Sequence, residues 1–226
     1  MNSEKQNVIK GAIFDCDGTL LDSLGAWRGL EGELARSANV QVRPEERKLF
    51  CTLTIPEIAH YFHAEYGLGE NDAAVAGMID EYMMSYYRNA SLLPGAAELL
   101  EACAKNNVKM SVCSSSCASY LEAGLFSSGV RDYFQAVVSV DDLGTTKRSP
   151  EAFEHTCKLL GTEKQVTWGF EDSLYAMDTL RNAGFPVVGL YCEKDGVPQL
   201  QVEKRATIAV SSLERLTVEQ GVLAQR

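Results

Sequence analysis

Asp15-Cys16-Asp17-Gly18 closes a short apolar run, with two carboxylates one residue apart. Side chains alternate along a strand, so Asp15 and Asp17 point to the same side. Carboxylates that close repel unless a cation or a shared proton relieves them. A hard divalent cation such as Mg²⁺ takes oxygen ligands of this kind; the bland alternative is a turn, for which Asp-Gly is common chemistry. Three other segments could add to the pair. Ser114-Ser115-Ser116 follows another apolar run, where hydroxyls and free backbone N–H groups hold phosphate oxygens or merely cap a helix. Lys147, just ahead of Ser149-Pro150, could neutralise a phosphoryl group and a carboxylate together. Arg148 beside it is the competing cation. Glu171-Asp172-Ser173 offers two more carboxylates to a metal, or an N-cap to a helix.

Groups so far apart in sequence need a frame that gathers them. Short runs at 8–14, 108–113, 136–140, 166–170, 187–190 and 206–210 are rich in β-branched residues. They read as strands buried on both faces. Helical stretches alternate with them at 96–106, 117–125, 150–160 and 173–183; Ser149-Pro150 opens the third with a cap and a proline, and Gly184 closes the fourth. The alternation predicts an α/β fold, a doubly wound parallel sheet with helices on both faces and ligands at the strand C-termini. Residues 24–90 break the pattern. Leu24, Trp27, Leu30, Leu34 and Ala38 form one helical apolar stripe, and Ile55, Ile58, Ala59, Phe62 and Tyr66 a second. Val75, Met78, Ile79, Tyr82, Met83 and Tyr86 form a third. The expected organisation is a core domain of 1–22 and 92–226, interrupted by a helical domain of 23–91. Two linkers side by side make a hinge, across which the insert is expected to close over substrate.

In order and placement, the four groups resemble the motifs of the haloacid dehalogenase (HAD) superfamily of phosphohydrolases. They read DCDGT at 15–19, Ser114, Lys147 with Pro150 and Glu151 behind it, and EDS at 171–173. The resemblance covers nearly the whole chain. The helical insert looks like the C1-type cap of the branch containing phosphoglycolate phosphatase and β-phosphoglucomutase. It implies a HAD-like Rossmannoid core in which Asp15 is the nucleophile, forming an aspartyl-phosphate. Asp17 is implied as general acid and then base, with Thr19 helping to hold it. The backbone around Gly18 would cradle phosphate oxygens, Ser114 would bond the transferring group, and Lys147 would hold that group and Asp15. Ser115 and Trp27 are the further substrate-binding candidates. Mg²⁺ is the implied cofactor, its ligands drawn from Asp15, the Asp17 carbonyl, Asp172 and Glu171. The third motif departs from the common KPxPD, reading Lys147-Arg148-Ser149-Pro150-Glu151. The implied activity is hydrolysis of a small phosphorylated metabolite, such as a sugar phosphate or a phosphoglycolate-like acid. A phosphoglucomutase-type isomerase is the first alternative. Against it, the mutase branch carries a histidine where this chain has Trp27, and an indole cannot exchange a proton. A non-catalytic phosphate-binding module ranks last, since Asp15, Asp17, Lys147 and Asp172 are all present.

Composition fits this reading. The 226 residues carry a formal net charge of −10 and 46% hydrophobic residues. Acidic balance argues against nucleic acid and against an anionic membrane surface. No apolar run approaches the roughly 20 residues that cross a bilayer, and the N-terminal residues do not resemble a signal peptide. A cytoplasmic monomer is expected. The metal and Lys147 would reverse the local field for an incoming phosphate dianion. Cys16, Cys51, Cys103, Cys113, Cys117, Cys157 and Cys192 are scattered without a CxxC, as reduced thiols would be. His60 and His63 lack a metal-site context, and His155 reads as a surface residue. Trp168 is expected in the core beside the site. Tyr82, Tyr86 and Tyr87 read as cap aromatics, and Glu45-Glu46 as a solvated helix start.

Overall fold

The computed structural model describes residues 7–50 and 53–226; Cys51 lies outside the described residues. The chain divides into two compact units, Met1–Asp22 with Ala90–Arg226, and Ser23–Asn89. Within the first, the departing and returning segments pair. Leu21 bridges Leu92, the Asp22 amide donates to Ser91 O at 2.9 Å, and the Leu93 amide donates to Leu20 O at 2.8 Å.

The first unit is built on a six-stranded parallel sheet of β1 (Gly11–Phe14), β2 (Lys109–Ser114), β3 (Phe134–Ser139), β4 (Thr167–Glu171), β5 (Val187–Leu190) and β6 (Ile208–Val210). Its strand order is β3-β2-β1-β4-β5-β6. Every residue of β1, β4 and β5 is buried, which is why these runs are continuously apolar rather than alternating. Parallel strands need crossover connections, and right-handed crossovers fix which face each helix covers. The order runs β1→β2→β3 one way and β4→β5→β6 the other, so the connecting helices fall on opposite faces. Residues of α7 (Pro150–Leu160), α8 (Leu174–Asn182) and α9 (Gln199–Glu203) share one buried cluster with Ile13, Cys113 and Val187. Next along β1, Phe14 turns to the other face and stacks on Phe170, with ring centroids 4.3 Å apart. There α5 (Ala96–Lys105) packs on β2 and α6 (Ala118–Ser127) on β3.

Three features of this unit depart from the sequence reading. The run 8–14 is split: Val8 bridges Val222, and the sheet strand begins only at Gly11. Its partner belongs to an antiparallel hairpin, β7 (Leu216–Glu219) and β8 (Val222–Gln225), that the strand pattern did not contain. The hairpin turns at Gln220-Gly221, both at positive φ (53° and 74°), the conformation a two-residue turn requires. Trp168, expected beside the site, is core at the other end of β4. It lines a cavity with Val8, Val166 and Thr207, and its indole N–H donates to Val8 O at 3.0 Å.

The second unit consists of α1 (Leu24–Ser37), α2 (Pro44–Phe50), α3 (Ile55–Tyr66) and α4 (Asp72–Asn89). Thr54 and Glu57 form a capping box that starts α3. The buried stripe of α1 is Ala26, Leu30, Leu34 and Ala35; Leu30 and Leu34 belong to the predicted stripe, whereas Leu24 and Ala38 are half-buried and Trp27 is exposed. Trp27 is 37% exposed because the stripe turns it to the flank, where its N–H donates to the Tyr87 hydroxyl at 3.3 Å. Tyr87 itself is fully buried. Glu46 is also corrected: it is buried, not solvated. Its carboxylate accepts from the Arg43 amide (2.7 Å) and guanidinium (2.6 Å), Tyr61 Oη (2.9 Å) and Tyr66 Oη (2.7 Å). The Arg43 guanidinium first, then its amide and the Tyr66 hydroxyl, hold the acid well below the usual carboxylate range. His60 pairs with Asp72 and His63 with Leu68 O, while His155 is exposed. Among the described residues, no helix is long and apolar enough to cross a membrane.

Candidate active site

The sheet order reverses direction between β1 and β4, and in open α/β sheets ligands bind at such a switch point, outside the strand C-termini. Register does the rest. Phe14 is level with Val112 on one side and Phe170 on the other, so Asp15 follows at the level of Glu171 and one residue short of Ser114. The Asp15 amide donates to Phe170 O at 2.9 Å, continuing the ladder. Past it the chain winds tightly around the Cys16 carbonyl, which accepts from the Leu20 and Leu21 amides. Gly18 enters that turn at φ 80°, where a Cβ would be strained. Its amide donates to Leu21 O at 3.0 Å. That donor is used by the turn, and the glycine serves the turn's conformation.

Lys147 arrives on the loop between β3 and α7 and is buried at 2% exposure. Its ammonium bonds both Asp15 Oδ1 and Glu171 Oε2, the latter at 2.8 Å. Arg148, the competing cation, is exposed and lies over the Tyr175 ring, 4.4 Å from its centroid. The lysine is therefore the charge inside the site. Burial works against its ammonium, but the Asp15 and Glu171 carboxylates outweigh it and raise the pKa well above the ordinary value. Asp15, Glu171 and Asp172 each place a carboxylate oxygen within 4.8 Å of the others. Burial raises all three carboxyl groups: Asp172 is pushed up to about 7, with Asp15 the next cause, while Asp15 and Glu171 rise despite Lys147. One ammonium for three carboxylates leaves negative charge in a desolvated place. That donor set fits a hard divalent cation, which supplies what burial takes away. Glu171 is already engaged at both oxygens, by Lys147 and by the Ser173 amide at 3.2 Å. Asp172 accepts from the Ser173 hydroxyl at 3.1 Å.

Asp17 takes a different set of partners. Its Oδ2 accepts from Ser116 Oγ at 2.6 Å and from Ser114 Oγ at 3.3 Å. Ser114 in turn accepts from the Ser116 amide at 3.1 Å, so neither serine caps α6, whose N-cap is Cys117. Thr19, expected to hold Asp17, does not: its hydroxyl is buried without a hydrogen-bond partner. Ser116 does that work, and the sequence reading passed it over for Ser115. Alternation could have found it, since Ser114 and Ser116 share a side as Asp15 and Asp17 do. Ser115 is exposed and bonds the hydroxyl of Tyr175, a second residue the sequence reading missed. The expected caps at Ser149 and Ser173 are N-caps without a side-chain bond. Ser149 donates instead to Glu151 at 2.8 Å.

A doubly wound parallel sheet with a buried carboxylate–lysine cluster at its switch point defines an α/β protein with a candidate active site at its strand C-termini. Residues 12–190 match the family model for haloacid dehalogenase-like hydrolases, and the chain belongs to that family. A phosphoglycolate phosphatase of Rhodospirillum rubrum is 30% identical over 188 residues, covering 79% of this chain and 78% of that protein. Hexitol phosphatase B of Escherichia coli K12 is 26% identical over 217 residues, covering 93% and 96%. The crystal structure of a β-phosphoglucomutase from Clostridium difficile has the same fold. Its TM-score is 0.68 at 22% identity, and the match covers 91% of this chain and 92% of that one.

Proposed function

We propose that the protein is a Mg²⁺-dependent phosphatase of a small phosphorylated metabolite that works through an aspartyl-phosphate on Asp15. The observation that carries this reading is the convergence of Asp15, Lys147, Glu171 and Asp172 at the switch point. Asp15, Asp172 and the Asp17 carbonyl would hold the cation, with Glu171 behind them. Bound there, it supplies positive charge to the phosphoryl oxygens. Asp15 attacks phosphorus through a carboxylate oxygen, and the bond to the leaving alcohol breaks. Asp17 gives that alcohol its proton. As a carboxylate it then removes a proton from water, whose oxygen attacks the phosphorus of the acyl phosphate, freeing phosphate and restoring Asp15. Lys147 holds Asp15 in place and offsets its charge as the dianion approaches. Ser114 donates to Asp17 now and, on substrate binding, to a phosphoryl oxygen. The relatives that are phosphatases support hydrolysis over isomerisation. So does Trp27, whose only ring donor is given to Tyr87 and which cannot relay a proton.

The test is phosphate release from a panel of phosphorylated metabolites, with Asp15→Asn as the comparison. The wild type is expected to release phosphate and the variant none, with the fold retained by circular dichroism. Equal release by both would remove Asp15 from the chemistry.

A further inference from the structure

We infer that Arg148, braced on Tyr175, is a specificity-determining residue that binds a second anionic group on the leaving-group side of the substrate. This rests on the phosphatase reading above and narrows its substrate class to phosphomonoesters whose alcohol carries a carboxylate or a further phosphate.

Three strand ends meet in this arrangement. Arg148 comes from the loop after β3, Tyr175 from the first turn of α8 after β4, and Ser115 from the loop after β2. The guanidinium lies 4.4 Å from the Tyr175 centroid, within the range of a cation–π contact. The Tyr175 hydroxyl bonds Ser115 and lies within electrostatic reach of Glu171, Lys147 and Asp15. The ring therefore ties the guanidinium to the mouth of the site. The Arg148 amide donates to Thr146 Oγ1 at 3.2 Å, and no carboxylate among the described residues pairs with its side chain.

The chemistry follows from charge. Lys147 is spent on Asp15 and Glu171 inside the site. In a chain of net charge −10, a substrate with two anionic groups needs a second cation, outside the phosphoryl pocket but next to it. A planar guanidinium matches carboxylate or phosphate geometry through paired donors, and stacking on a ring leaves its edge donors open. The exposed rim keeps arginine's desolvation low, so the group can be charged and waiting.

The experiment compares binding by calorimetry in Mg²⁺. The probes are non-cleavable phosphonates in matched pairs: phosphonoacetate and 3-phosphonopropionate against ethylphosphonate and propylphosphonate. The wild type is expected to bind at least one carboxylated member about fivefold to tenfold more tightly than its neutral partner. Arg148→Gln should bring that ratio close to one, Arg148→Lys should keep part of it, and Tyr175→Leu should reduce it by releasing the guanidinium. A wild-type ratio near one for both pairs overturns the assignment, as does a ratio that Arg148→Gln leaves intact. These readings need no turnover, so a failed phosphatase assay with a preserved binding preference strikes the function and spares Arg148. Phosphate release with no preference does the opposite.

Discussion

Metal-free protein should lose stability as pH rises, and Mg²⁺ should return it. Asp172 shows why. Its carboxyl is pushed from 3.8 to about 7, by burial first and by Asp15 next. A raised folded-state pKa means that the native protein binds more protons than the unfolded chain between those two values, so stability falls with pH across that window. Each unit is worth about 1.4 kcal/mol. Raising pH from 5 to 8 therefore removes about 3 kcal/mol through Asp172 alone. For a chain of this size that is about 6 °C in Tm, and Asp15 and Glu171 act in the same direction. Saturating Mg²⁺ takes up the ionised carboxylates, so its stabilisation should be larger at pH 8 than at pH 5. The neutral isostere separates this from general repulsion in an acidic chain. Asp172→Asn should melt higher than wild type in EDTA at pH 8, yet gain little from Mg²⁺. Differential scanning calorimetry at the two pH values, with and without Mg²⁺, reads all of this. A wild-type Tm in EDTA that is flat or rises from pH 5 to 8, with Asp172→Asn indistinguishable from it, would refute the argument.

Phosphate release should vanish in EDTA and return with Mg²⁺, whereas Ca²⁺ should support it poorly because its looser coordination misplaces the nucleophile; recovery with Ca²⁺ equal to that with Mg²⁺ would count against the site. Ser116→Ala removes the 2.6 Å bond to Asp17 and should lower kcat about tenfold with little change in KM, measured by steady-state phosphate release. Glu46→Ala removes the acceptor shared by Arg43, Tyr61 and Tyr66 in the helical unit and should lower its melting temperature by several degrees, while Glu45→Ala should not; thermal melts compare the two. With β-glucose 1-phosphate, free phosphate should far exceed glucose 6-phosphate, and the reverse ratio in a coupled assay would favour the isomerase.

What the sequence disclosed depended on whether a signal was local. Strands buried on both faces must be apolar at every position, so β1, β4 and β5 stood out from composition alone. The candidate site residues sit at the ends of such runs, where the apolar pattern stops at Asp15, Ser114 and Glu171. Glu46 gave no such sign. Its burial depends on Tyr61 and Tyr66, fifteen and twenty residues away, and nothing near Glu46 distinguishes it from Glu45. Val8 failed for a related reason: its run continues smoothly into β1, but its partner is Val222 near the other end of the chain. Tyr175 was invisible because an aromatic at the start of a helix has meaning only once Arg148 and Ser115 are brought to it.

The site's precision comes from sheet register more than from the loops. Asp15 stands beside Glu171 because Ile13 pairs with Gly169 and Phe14 with Phe170. A slip of one residue would move every β1 side chain to the opposite face, putting Ile13 where Phe14 now stacks and Asp15 away from Lys147. That slip is opposed on both faces at once. Ile13 is held in the cluster with Ala152, Phe153 and Met177, and Phe14 is held between Phe134 and Phe170. Gly169 tightens the lock, since a Cβ there would come within 2.5 Å of Leu180 Cδ1, so α8 rests directly on β4. The helix that follows Asp172 is thereby fixed to the strand that precedes it. Burial of a few large apolar side chains thus places a charged cluster that, by itself, resists being assembled.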